Sequence, residues 1–317
     1  MAAAEIRIDA RFGILRSGEE ANEERCADCD ATSHSISSSS VAGVRLMRTA
    51  TSSAKEFILQ FGSESVYTCA LALPCGCIED ASFHAKRMMV SGILRETFSN
   101  ASVAEKVKTV LGAVRAVVGL FRASDGHLPL MITLVADRSA FGVHATRAPS
   151  PQLSGNFIAM AIRPSSSRAL PSRIEPHIKS GAWINQRKPL EAAKAKCGAD
   201  EVILTDESGA LLEGLITNFF IVTKSGIVQT AGDGVLMGAM RARVLRSCSR
   251  AGIPVDLRRP TIDDVRDASG AFVTNAIRGV RDVVSFFDVD VACERIAEFR
   301  LEKNDVVARI VEAMKIV

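Results

Sequence analysis

The stretch from Lys179 to Asn218 constrains this chain more than any other, because it fixes an order of elements between one lysine and one carboxylate. Apolar residues at helical spacing predict an amphipathic helix from about Ala182 to Lys196. A strand is expected at Glu201 to Thr205, and Glu207-Ser208-Gly209 reads as a turn. Lys179 opens the stretch, and its amine can attack a carbonyl if its surroundings let it lose a proton. Glu213 sits in Leu211-Leu212-Glu213-Gly214, an apolar setting in which a carboxylate needs a cationic partner to stay ionised. The elements between them allow the two to converge although they lie far apart in sequence.

Upstream, residues 1 to 54 include CADCDATSHSISSSS, which has too little apolar surface to order itself, so a flexible extension is expected there. From Lys55 the text changes to EFILQFGSESVYTCALAL, read as two strands broken at Gly62-Ser63. A helix over EDASFHAKRMMVSGILRETF, a second over ASVAEKVKTVLGAVRAVVGLF and a strand over LPLMITLVAD complete a small α+β domain spanning 55–150. The prolines, glycine and serines of ATRAPSPQLSGN mark a linker near 145 to 155, and a larger domain over 151–317 begins with the strand FIAMAI. Beyond Asn218, the text GVLMGAMRARVL places Gly238 at the end of a loop and Ala239 and Met240 at a helix start. Free N–H groups and the positive dipole end make such a start an anion site, and glycine permits close approach. A final helix carries an apolar stripe of Val306, Val307, Ile310, Val311 and Met314.

Composition removes several function classes. With 317 residues, 47% hydrophobic and 24% charged, the chain can build substantial cores. A net charge of +3 without a dense basic block gives nucleic acid no support as a partner. No apolar run is long enough to span a bilayer, and the acid-containing start is unlike a signal or transit peptide, so a cytoplasmic address is expected. The eight cysteines are scattered, as reduced thiols are. Neither Cys26-Ala-Asp-Cys29 nor Cys75-Gly-Cys77 sits in a zinc frame, and no metal is expected.

Four words in order, IKSGAW, GADEVILTDESGALLEGLITNFFIV, GVLMGAMR and FVTNAIRGV, resemble the fold-type IV pyridoxal phosphate enzymes. These are the class IV aminotransferases of branched-chain and D-amino acids, and aminodeoxychorismate lyase. The resemblance implies a two-domain α+β fold of the D-amino acid aminotransferase type, with a small α+β N-terminal domain and a larger α/β C-terminal domain. It implies pyridoxal 5'-phosphate as cofactor, amino acid and 2-oxo acid substrates, and a homodimer.

By that resemblance Lys179 is the catalytic lysine, holding the cofactor as a Schiff base and moving a proton at the substrate Cα. Glu213 keeps the pyridinium nitrogen charged, so that the ring serves as an electron sink. Thr217 and Asn218 orient the ring or support Glu213. Arg87, in a His84-x-x-Arg87 pattern, is matched to the phosphate by its planar fork. Gly238, Ala239 and Met240 form one phosphate-binding loop, and Thr274, Asn275 and Ala276 form the second. Tyr67, the only tyrosine, lines the substrate pocket. The chain departs from the family at Cys69, where lyase-type relatives tend to have a threonine, and at Met240 and Ala276, where hydroxyl residues are common. Gly62-Ser63-Glu64-Ser65 stands where the family has Gly-Asp-Gly. Transfer of an amino group is the first reading. Lyase action on aminodeoxychorismate, or a catalytically weak descendant that retains cofactor binding, are the alternatives.

Overall fold

The computed structural model describes residues 4–9, 23–25, 32–34, 45–47, 53–90, 102–125, 128–138, 140–149, 157–162, 175–290, 292, 294–301 and 304–315. Contacts divide the chain into two units, Met1–Ser150 with Ile178–Ile184, and Pro151–His177 with Asn185–Val317.

In the first unit, strands β1 (Ala4–Asp9), β4 (Arg45–Met47), β5 (Val66–Ala72), β6 (Leu130–Ala136) and β7 (Ala140–Arg147) form an antiparallel sheet. Their order is β4-β1-β7-β6-β5. The short strands β2 (Glu23–Arg25) and β3 (Thr32–His34) pair with each other. Before residue 55, β1 pairs with β4 and with β7 in the antiparallel sheet. Cys26 and Cys29 lie outside the described residues. The helix Val103–Asp125 turns Val110, Val114, Val117 and Val118 inward at helical spacing against Leu130, Ile132 and Leu134. Each such side chain contributes about 1.5–3 kcal/mol when fully buried.

Residues 54–59 overturn one expectation. They form a helix, Ala54–Leu59, where a strand was read. Ser53 caps it by accepting the Glu56 N–H, and a short apolar run such as Phe57-Ile58-Leu59 carries no period of its own to oppose that cap. Phe57, Ile58 and Phe61 pack with Tyr67 and Val135. The linker expected near 145 is also displaced, because Ala145–Arg147 belong to β7; residues 150–156 lie outside the described residues.

The second unit is built on a ten-stranded mixed sheet. Strands β8 (Ile158–Ile162), β9 (Glu201–Thr205), β10 (Leu211–Gly214), β11 (Asn218–Val222), β12 (Val228–Gln229) and β13 (Val255–Asp256) are followed by β14 (Gly270–Asn275), β15 (Gly279–Val283), β16 (Ser285–Val289) and β17 (Arg295–Arg300). The path runs β13-β12-β11-β10-β9-β8-β16-β17, with β14 paired to β11 and β15. Alternation assigns the two faces of β11. Phe219 and Ile221 enter one core with Val273 and Phe286, while Phe220 and Val222 enter another with Val244, Val307 and Ile310. In the final helix, Asp305–Lys315, Val311 is 38% exposed and drops out of the expected stripe.

The helix read over Ala182 to Lys196 is two helices, Ala182–Gln186 and Lys188–Cys197. Pro189 has no N–H for the Asn185 carbonyl, so the first helix cannot run on through it. Strand β9 matches the expected Glu201 to Thr205. Among the described residues no helix is long and apolar enough to cross a membrane.

Candidate active site

In the first unit the site is built along the outer edge of β5. That edge lacks a strand neighbour in the sheet order, and the Lys179 segment takes it. Tyr67 N–H donates to the Lys179 carbonyl at 2.9 Å, Val66 bridges Ser180, and Gly181 N–H donates to the Ser65 carbonyl at 2.7 Å. Ala182 N–H reaches the Ser63 carbonyl at 3.1 Å. Gly181 has to be glycine here, because a Cβ would meet the Ser65 hydroxyl and stand 3.0 Å from the Gly62 carbonyl. The turn Gly62 to Ser65, closed by Ser65 Oγ donating to the Gly62 carbonyl at 2.7 Å, thus seats the lysine segment. The seat holds Lys179 Nζ 5.1 Å from the centroid of the Tyr67 ring, over its face. Lys179, expected in the second domain, belongs by its contacts to the first unit.

Arg87 and His84 lie on the helix Ala81–Val90. The Arg87 guanidinium stacks 4.7 Å from the Phe83 ring centroid, one turn earlier. His84 is buried, and its Nδ1 is 2.7 Å from Thr68 Oγ1 on β5. Burial, followed by the charges of Arg87 and Lys179, lowers its pKa from 6.5 to about 3. This imidazole stays neutral and packs against β5.

In the second unit the register of β10, β11 and β14 sets three predicted residues in one row. Glu213 faces Asn218, and Asn218 faces Thr274. Glu213 is 2% exposed, and its Oε2 accepts from Asn218 Nδ2 at 3.2 Å. The same amide donates to the Leu236 carbonyl at 2.8 Å, fastening the loop before Gly238 to the row. Gly238 lies so close that a Cβ there would collide with Asn218 Oδ1. It caps the helix Ala239–Arg250 without a side-chain hydrogen bond, so the first-turn N–H groups, including those of Ala239 and Met240, have no capping acceptor from Gly238. Thr274 Oγ1 is buried and has no hydrogen-bond partner among the described residues. That hydroxyl, the uncapped helix start and the buried carboxylate suit a ligand that carries both an anionic group and a protonated ring nitrogen.

Two predicted contacts change character. Thr217 Oγ1 donates to Glu201 at 3.0 Å, so this hydroxyl braces the chain. Asn275 Oδ1 accepts from the N–H groups of Ile277 and Arg278 at 3.0 and 2.7 Å, which commits it to the turn between β14 and β15; Ala276 lies in that turn. Two residues were missed. Buried Arg241, three residues past Gly238, donates to the Ala231 carbonyl at 2.9 Å and to Met237 Sδ at 3.4 Å. Burial lowers its pKa and the charge of Glu213 opposes that shift. Glu201 gathers four donors around a carboxylate that is 2% exposed. Its place at the start of a strand, beside a glycine-containing turn, was the available signal.

Residues 66–286 match the family described as amino-transferase class IV. A Methanocaldococcus jannaschii protein assigned by name to the branched-chain-amino-acid aminotransferases is 30% identical over 145 residues, covering 45% of this chain and 48% of that one. The chain thus spans about half the length of the curated relatives it matches. The solved fold IV transaminase CpuTA1 from Curtobacterium pusillum superposes with a TM-score of 0.66 at 16% identity, covering 98% of this chain and 97% of that one. A hypothetical aminotransferase from Mycobacterium tuberculosis in its PLP-bound form gives 0.62 at 15% identity, with coverage of 98% and 97%. At these identities the structural likeness concerns the fold, here the fold-type IV transaminase fold.

Proposed function

Because the chain belongs to the class IV aminotransferase family, we propose that it is a pyridoxal phosphate enzyme moving an amino group between an amino acid and a 2-oxo acid. The observation that carries this reading is the seating of Lys179. Its backbone is pinned by Tyr67 N–H and its amine is held over the Tyr67 ring, in the unit that also carries Arg87. When bound, the cofactor supplies an aldehyde carbon for amines and a ring that draws electrons from the substrate Cα bonds.

Each residue then has a task. Lys179 Nζ would hold the aldehyde carbon and, when displaced by substrate, move the proton at Cα. Glu213, buried and oriented by Asn218, would hold a proton at the ring nitrogen. Arg87, the N–H groups from Gly238 to Met240, and Thr274 Oγ1 with the backbone of Asn275 and Ala276 would bind the phosphate. Tyr67 would orient substrate with its ring and hydroxyl. Met240 and Ala276 lack the hydroxyls common in the family, which leaves backbone donors the larger share.

The named relatives support testing branched-chain amino acids first. Purified protein with pyridoxal phosphate and 2-oxoglutarate is presented with L- and D-amino acids, and formation of glutamate is measured. Glutamate formed from at least one donor supports transfer. Pyruvate released from aminodeoxychorismate, with no glutamate from any donor, would replace this reading with the lyase one.

A further inference from the structure

Glu201 is a buried acid that none of the assigned roles uses. Its Oε1 accepts the N–H of Val202 at 3.1 Å and of Leu215 at 3.2 Å. Oε2 accepts the N–H of Ile216 at 3.4 Å and the Thr217 hydroxyl at 3.0 Å. All four neighbours are donors, and this set serves a carboxylate, which can only accept. Burial raises the pKa of Glu201, while the Thr217 hydroxyl, the charge of Lys194 and the backbone donors oppose the shift.

Three of the four donors belong to one turn. Gly214 to Thr217 joins β10 to β11 and is closed by Gly214 N–H donating to the Thr217 carbonyl at 2.8 Å. The residue before this turn is Glu213, and the residue after it is Asn218. Burial alone does not hold the tip, because Ile216 is 37% exposed. The fit around the carboxylate is close as well: a Cβ on Gly214 would stand 2.8 Å from Glu201 Cγ and Cδ and would collide with Thr217 Oγ1. The acid thus occupies the space that glycine leaves and ties down the consecutive amides of Leu215 and Ile216.

We propose that Glu201 is a positioning residue for the cofactor: its carboxylate locks the Gly214–Thr217 turn, and the locked turn fixes the Glu213–Asn218 pair that holds the ring nitrogen. This inference rests on the pyridoxal phosphate reading. It assigns Glu201 no contact with cofactor or substrate. Its effect passes through the backbone of the turn, so removing it matters only while Glu213 is present to be placed.

The test is a double-substitution cycle read by cofactor affinity. Pyridoxal phosphate is titrated into wild type, Glu201→Gln, Glu213→Gln and the double variant, following the fluorescence of Trp183, the only tryptophan. Glu201→Gln keeps the size but sets an amide N–H₂ against N–H donors, and it should weaken binding about tenfold, the usual cost of leaving one buried polar group unmatched. In the Glu213→Gln background the same change should cost less than about twofold, since coupled residues are non-additive. Equal affinity of Glu201→Gln and wild type would overturn the proposal, and so would a full tenfold loss in both backgrounds, which marks a merely structural role. Absence of saturable binding by wild type would instead sink the cofactor reading, and this proposal with it. Should Glu201→Gln fail to fold by circular dichroism, Thr217→Val removes one donor and leaves the carboxylate. It should then cost about threefold, and an unchanged affinity would overturn the proposal.

Discussion

At the scale of single residues, the candidate site combines a buried, neutral His84 with three glycines, Gly181, Gly214 and Gly238, that leave no room for a side chain. His84 titrates near 6.5 when exposed and at about 3 in the fold, so between these values the unfolded chain binds a proton that the folded chain does not. Stability from this residue is complete above 6.5 and falls as the pH drops toward 3. Thermal melting of wild type and His84→Asn should therefore converge as the pH is lowered through that window; an unchanged gap would contradict the neutral assignment. Gly238→Ala is expected to push Asn218 off Glu213. Its φ of −67° suits alanine, so the cost is steric, about 1–3 kcal/mol in melting. The residues proposed to act with a ligand were legible because their chemistry is distinctive in order: a lysine, then an acid in Leu-Leu-Glu-Gly, then a helix-opening glycine. Glu201 and Arg241 were not. An acid or arginine in a string reads as a solvated face, and only the fold reveals that each is buried among backbone groups.

At the scale of elements, legibility followed the strength of local signals. The strand Glu201–Thr205 and the helix Val103–Asp125 have long or bounded patterns, and both stand close to where the sequence placed them. The helix Ala54–Leu59 was missed although Ser53-x-x-Glu56 is a capping pattern, because the adjacent apolar run suggested a strand more loudly. The segment Ile178–Ile184 was illegible as a unit boundary, since its pairing with β5 depends on partners more than a hundred residues away. Another cap yields a prediction. Asp264 accepts from Thr261 N–H at 2.8 Å and from Arg258 at 3.0 and 3.1 Å, and its pKa falls from 3.8 to about 2, chiefly through the Arg258 hydrogen bonds. The stability it contributes is present above 3.8 and lost as the pH falls toward 2. Asp264→Asn should lower the melting temperature at neutral pH and flatten the acid limb between these values, and an identical acid limb in both proteins would contradict this.

At the scale of the whole molecule, Lys179, Tyr67 and Arg87 belong to the first unit, and Glu213, Asn218 and the helix Ala239–Arg250 belong to the second. The family words read from the sequence lie mostly in the second unit, which is why the cofactor was easier to name than the substrate. The small sheet around Tyr67 departs most from family pattern, and its turn Gly62 to Ser65 is now explained as the seat of the Lys179 segment. The account stands on that lysine. Incubation of the protein with pyridoxal phosphate, reduction with borohydride and peptide mass mapping should place a single stable cofactor adduct on the peptide that contains Lys179, and Lys179→Ala should carry none. An adduct confined to another lysine, or no adduct at saturating cofactor, would contradict it.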